Sequence, residues 1–113
     1  MIKNSIVLVP FPFDDFSNSK VRPALCLTNE IGIYNHVVIA FISSKIPNEI
    51  LLSDIIVKLN SENNIDTGLV SDSIIRIHKI VTIPSTLIKR KLGVLNLELT
   101  QNVQKAIKYL FQD

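Results

Sequence analysis

Apolar residues along this chain come in short unbroken runs separated by proline, glycine and polar clusters. That is the pattern of strands covered on both faces, not of a half-exposed sheet. Ser5 to Val9, S-I-V-L-V, has strand length, and Pro10 and Pro12 end it. Phe11 to Lys20 combines one proline, two aspartates and three phenylalanines and is expected to form a loop with unusual apolar content. Val21 to Thr28 is the second strand, followed by a turn through Asn29, Gly32 and Asn35. His36 to Ile42, H-V-V-I-A-F-I, is the third and stops abruptly at Ser43, Ser44 and Lys45. After a loop over Pro47 to Leu51, Asp54 to Leu59 is a weaker strand with Ile55 and Val57 on one face. Asn60 to Gly68 is the longest polar stretch and is predicted to be a solvated loop.

Strand character returns from Ser73 to Thr82, where Arg76 and His78, two apart, share a face. Pro84 to Arg90 is predicted to hold one short helical turn, leading into a basic run, Lys89, Arg90 and Lys91, that reads as solvated surface. From Thr100 as an N-cap, Val103, Ala106, Ile107, Leu110 and Phe111 follow the spacing of a helix with one apolar face. Five or six short strands and one C-terminal α-helix predict a mainly β fold, a small, strongly bent sheet or partly open barrel.

The totals narrow this further. With 113 residues the chain has room for one compact core, so residues 1–113 are expected to form a single domain. Apolar residues make up 47% and charged residues 19%, too hydrophobic for disorder and rich enough to suggest a buried subunit interface. A net charge of +2 and a pI near 8.8 permit contact with nucleic acid without requiring it. Cys26 is the only cysteine, which excludes an internal disulfide and a cysteine-based zinc site and suits a small core residue. No apolar stretch approaches the ~18 residues that span a bilayer, and the N-terminus lacks a small-residue cleavage site, so a cytoplasmic setting is expected.

Candidate chemistry centres on Val21 to Asn29, V-R-P-A-L-C-L-T-N. Arg22 keeps its charge near neutral pH, and a buried cation needs a partner, either a carboxylate or an anionic ligand. Pro23 forces Arg22 into extended backbone at a strand entrance. Counting by twos, Arg22 shares its face with Ala24, Cys26 and Thr28, small residues expected to leave room for a ligand. The chain has no glycine-rich phosphate loop, no helical His pair and no Gly-x-Ser-x-Gly elbow. Its two histidines exclude a His-rich metal site, and a metal-free, cofactor-free mechanism is expected. What remains is cations and hydroxyls at strand ends, a set that suits a phosphodiester.

The opening I-V-L-V-P-F-P-F, the segment K-V-R-P-A-L-C-L, the strand exit F-I-S-S-K and the later S-I-I-R-I-H-K-I, in this order, resemble the MazF/PemK (Kid) family of type II toxin–antitoxin endoribonucleases. The resemblance implies an SH3-like barrel with a terminal helix and a homodimer. It also implies metal-independent, sequence-specific cleavage of single-stranded RNA, and a cognate antitoxin that occupies the RNA groove. It places the functional arginine before proline on Arg22, the strand-exit Ser/Thr on Ser43, and a later-strand arginine on Arg76. The chain departs from the family pattern at His78, where Asp is common, at Val81, where arginine is frequent, and at Asn4 and Ser5, which replace Gly-Asp.

From these residues the expected site has Arg22 holding the non-bridging phosphate oxygens and Ser43 orienting the scissile phosphate, with His78 as general base or acid. Ser44, Lys20, Lys45, Arg76 and Lys79 are expected to contact substrate. Phe13 and Phe16 are expected either to stack a base or to cap the core. A CcdB-like toxin that inhibits gyrase without cutting nucleic acid, and a catalytically degenerate RNA-binding relative, share the fold and stay open as alternatives.

Overall fold

The computed structural model describes residues 1–10, 20–61 and 66–112. Within them lie β1 (Ser5–Pro10), β2 (Val21–Cys26), β3 (His36–Ser43), β4 (Asp54–Val57), β5 (Ser73–Pro84), a 3-10 turn (Ser85–Leu87), β6 (Arg90–Val94) and α1 (Leu97–Phe111). The six strands form one antiparallel sheet in the order β4-β5-β3-β2-β1-β6. The sheet curls into a half-barrel because β5 carries a break in register. Ala40 and Phe41 are adjacent on β3 but pair with Ile80 and Arg76, four apart on β5. The surplus residues bend the long strand at that point.

The unbroken apolar runs are explained by cover on both faces. On one face Ile6, Leu25, Ile42, Ile55, Val57 and Ile75 pack with Leu99, Val103 and Ala106 of α1. On the other, Val7, Val9, Ala24, Cys26, Val37, Ile39 and Ile83 form a second core against Leu87 and Ile88, around the 3-10 turn. The small residues beside Arg22 therefore do not line ligand space. Ala24 and Cys26 are fully buried in this second core, because apolar neighbours from β1, β3 and β5 fill the room they leave. Burial, aided by repulsion from Glu30, pushes the Cys26 thiol up to about 11, so it stays protonated and unreactive at neutral pH.

The N-cap of helix α1 lies four residues before the expected one. The Asn96 side chain accepts the Leu99 amide at 2.8 Å, and Thr100 lies one turn inside with its hydroxyl donating to the Asn96 carbonyl at 2.8 Å. Both are cap-type residues, but only Asn96 has extended backbone that leaves its side chain facing the orphan amides. Glu98 in the first turn and Lys108 in the last oppose the helix dipole favourably. Phe111 ends the helix 71% exposed and does not join the packed stripe. No described helix is long and apolar enough to cross a membrane.

Strand β6 was not apparent from R-K-L-G-V, which is basic and interrupted by glycine. It pairs with β1 through a bulge: Ile6 faces Gly93 while Val7 faces Lys91, leaving Leu92 as the extra residue. Gly93 is required there. A Cβ would overlap the Asp66 carbonyl oxygen and approach the Thr67 carbonyl carbon to 2.5 Å, because residues 66–68 cross β6 directly and Val94 donates to the Asp66 carbonyl at 2.7 Å. Gly93→Ala is expected to destabilise the fold by roughly 1–3 kcal/mol as the crossing is forced apart. A lower denaturant midpoint at unchanged m-value would report this, and an unchanged midpoint would show that the crossing yields freely.

Candidate active site at the sheet end

Strands β1 and β3 finish, and β2, β5 and β6 begin, at the same end of the sheet. A cavity of about 330 Å³ opens there. Arg22 stands at the entrance of β2, held extended by Pro23, and Ser43 is the last residue of β3. Both line the cavity, with Ser44 beside them. Their meeting follows from register. Leu25 pairs with Ala40 and Ala24 with Phe41, and continuing the same antiparallel ladder for two residues sets Arg22 opposite Ser43. Directly opposed residues have Cβ atoms about 5 Å apart, a spacing at which both side chains can touch one phosphate.

The remaining walls are partly apolar and partly polar. Leu8, Pro23, Ile42, Leu69 and Leu92 supply hydrocarbon, and Ser71, Ser73 and Arg90 supply polar groups. Arg22 is partly buried, with its Nε shielded from solvent, where a cation acts in a lower dielectric than at an open surface. The Ser43 hydroxyl is fixed by its own turn: Oγ accepts the Lys45 amide at 3.0 Å and donates to the Lys45 carbonyl at 3.4 Å. It is held as a hydrogen-bonding group, and no His, Asp or Glu among the described lining residues could activate it as a nucleophile. Ser73 is buried and donates to the Ser71 carbonyl at 2.9 Å, which shapes the 71–73 wall.

The structure does not bring Arg76 and His78 into this cavity. Arg76 makes a two-pronged pair with Asp54, Nε to Oδ1 and Nη2 to Oδ2, each 3.2 Å. The Asp54 side chain is 0% exposed, that of Arg76 18%, and Oδ2 also accepts the Leu51 amide at 2.8 Å. His78 Nδ1 lies 3.9 Å from Asp54 Oδ1, and the ring borders a separate cavity with Tyr109 and Leu110 of α1. The reason is topological. Arg76 and His78 do share a face, but β4 pairs alongside and sets Asp54 directly opposite Arg76. Arg76, expected to contact substrate, is instead held by a carboxylate from the edge strand.

Lys20, Lys45 and Lys79 are exposed and outside the cavity lining. Phe13 and Phe16 fall outside the described residues. Sequence reasoning missed Arg90 and the 68–73 segment as cavity walls. Arg90 was hidden in a run of three cations, and only the pairing of β6 with β1 singles it out. Among the described residues, no three His, Cys, Asp or Glu side chains gather as a metal site would need.

Residues 3–111 match the model of the PemK-like, MazF-like toxins of type II toxin–antitoxin systems. Among solved structures, the Mycobacterium tuberculosis toxin MazF-mt6 is similar with a TM-score of 0.71 at 23% identity, covering 95% of each chain. An endoribonuclease from a mycobacterial species, in complex with its cognate antitoxin, has a TM-score of 0.71 at 10% identity over 96% of this chain and 92% of that one. A further M. tuberculosis toxin has a TM-score of 0.64 at 25% identity over 80% of this chain and 92% of that one. Comparison with curated proteins gave no match.

Proposed function

This chain belongs to the PemK-like, MazF-like toxins of type II toxin–antitoxin systems, and from that premise we propose that it is an endoribonuclease that cuts single-stranded RNA at the Arg22–Ser43 cavity. The observation that carries the reading is the convergence of a fixed cation and an oriented hydroxyl from neighbouring strands on one cavity. Arg22 presents a planar fork to the non-bridging oxygens, and its charge persists as the phosphorane becomes more negative. Ser43 donates to the same phosphate and sets the line of attack. The ribose 2′-oxygen attacks phosphorus and its proton passes to water. The bond to the 5′-oxygen breaks, and that oxygen takes a proton from water. The products are a 2′,3′-cyclic phosphate and a 5′-hydroxyl. Positive charge at the reacting phosphate comes from Arg22, so the step proceeds without a metal.

The protein acts as a homodimer and is held in check by a cognate antitoxin. The similarity to an endoribonuclease bound to its antitoxin supports the latter partner. Unstacked bases give sequence preference, because proteins read RNA sequence mainly in single strands. The test is incubation with a long single-stranded RNA in excess chelator, followed by end-group analysis. Cyclic phosphate ends at a recurring short sequence are expected. Intact RNA would favour a protein-binding toxin of the gyrase-inhibiting kind, and 3′-hydroxyl ends would refute self-attack by the ribose.

A further inference from the structure

Arg90 is one of three consecutive cations, yet it alone of the three lines the Arg22–Ser43 cavity. Its place is set by the bulged pairing of β6 with β1. Leu8 faces Arg90 and Val7 faces Lys91, so adjacent cations are sent to opposite faces of the sheet. The Lys89 amide donates to the Leu8 carbonyl at 2.8 Å and anchors the start of β6. The bulge leaves Leu92 lining the cavity, beside Leu8 and Leu69. Residues 66–68 lock this wall, since Cβ atoms at Gly68 and Gly93 would overlap backbone across the crossing.

Arg22 on β2 and Arg90 on β6 flank β1, Arg22 opposite Val9 and Arg90 opposite Leu8, about 10 Å apart at the backbone; both reach the one cavity at the sheet end, with Leu8 on the strand between them. Two cations and several apolar side chains on the walls of one cavity suit a single strand, whose charged backbone is met by the cations and whose flat base is met by hydrocarbon. We propose that Arg90 is a second phosphate-binding residue of this cavity, gripping the phosphate next to the one held by Arg22 while the base of the nucleoside that joins the two phosphates packs on Leu8, Leu69 and Leu92. The proposal rests on the endoribonuclease reading above and extends it to substrate register. Arg90 does not touch the reacting phosphate, so it supports ground-state binding and not the chemical step.

The experiment compares Arg90→Gln with Lys91→Gln, which change net charge equally although only Arg90 lines the cavity. Both are measured for cleavage kinetics, for thermal stability, and for affinity to the same oligonucleotide carrying 2′-deoxyribose at the cut site. Arg90→Gln is expected to weaken binding and raise KM roughly 5- to 10-fold, with the loss falling on KM and not on kcat. It should lower the slope of log affinity against log salt by about 0.7. Lys91→Gln should change each of these much less, both variants should melt with the wild type, and Arg90→Lys should recover part of the affinity. Equal effects of the two Gln variants, or a loss in kcat at unchanged KM, would overturn the assignment. If the wild-type protein binds the oligonucleotide but leaves RNA intact, the nuclease reading fails, and the salt slopes still decide the Arg90 contact. If it binds none, both fail.

Discussion

Arg22→Ala is expected to lower the rate of RNA cleavage by about 10² to 10³, or roughly 3–4 kcal/mol of barrier. The size follows from what the guanidinium does at the phosphorus. It is partly buried at the sheet end and lines one cavity with Ser43 and several apolar side chains, so under the proposed mechanism charge developing on the phosphorane would be met by a fixed cation in a poorly screened site. Lysine is a weak substitute, since it offers one point charge where a fork spans two oxygens. The change should appear in kcat, because the interaction strengthens as negative charge grows. His78→Ala in the same assay is a useful contrast. Its ring lies at Asp54, outside the cavity, so turnover should stay close to wild type. Wild-type cutting by Arg22→Ala, or a collapse of activity in His78→Ala alone, would move the reacting centre away from β2.

Asp54→Ala is expected to act on the fold. It removes both prongs of the Arg76 pair and the acceptor of the Leu51 amide, leaving a cation in a site shaped for a carboxylate. Breaking a buried pair by removing one partner costs 3–5 kcal/mol, and the lower end, about 3 kcal/mol, applies because Arg76 retains some access to water. Equilibrium denaturation should show the loss. Replacing Asp54 and Arg76 together by apolar residues should recover part of it, since no charge is then stranded. A double variant no more stable than Asp54→Ala would mean that the carboxylate matters for the loop at Leu51 and not for the pair.

These two outcomes separate what was legible in the chain from what was not. The runs S-I-V-L-V and H-V-V-I-A-F-I announced strands covered twice, and the structure covers them with α1 on one side and with the second core on the other. Arg22 before Pro23 and Ser43 at a strand exit were legible as strand-end residues because proline and an abrupt loss of apolar character fix such positions locally. Their meeting across β2 and β3 depends on register, which sequence spacing does not specify. The face shared by Arg76 and His78 was also legible. Its occupant, Asp54, opens an edge strand that the sequence did suggest, but the pairing that sets it opposite Arg76, 22 positions away, was invisible to periodicity. Strand β6 and the role of Arg90 were hidden for a third reason. An exposed, bulged edge strand carries neither alternation nor an apolar run, and its glycine serves a backbone crossing instead of a turn.

The central claim is that the RNA supplies its own nucleophile while Arg22 and Ser43 hold the phosphate. Once a cut site has been mapped, a single 2′-deoxyribose placed immediately 5′ of that phosphate tests it most directly. Binding should persist and cleavage at that linkage should cease, with neighbouring sites in the same strand cut as before. Continued scission at the deoxy linkage would contradict the account.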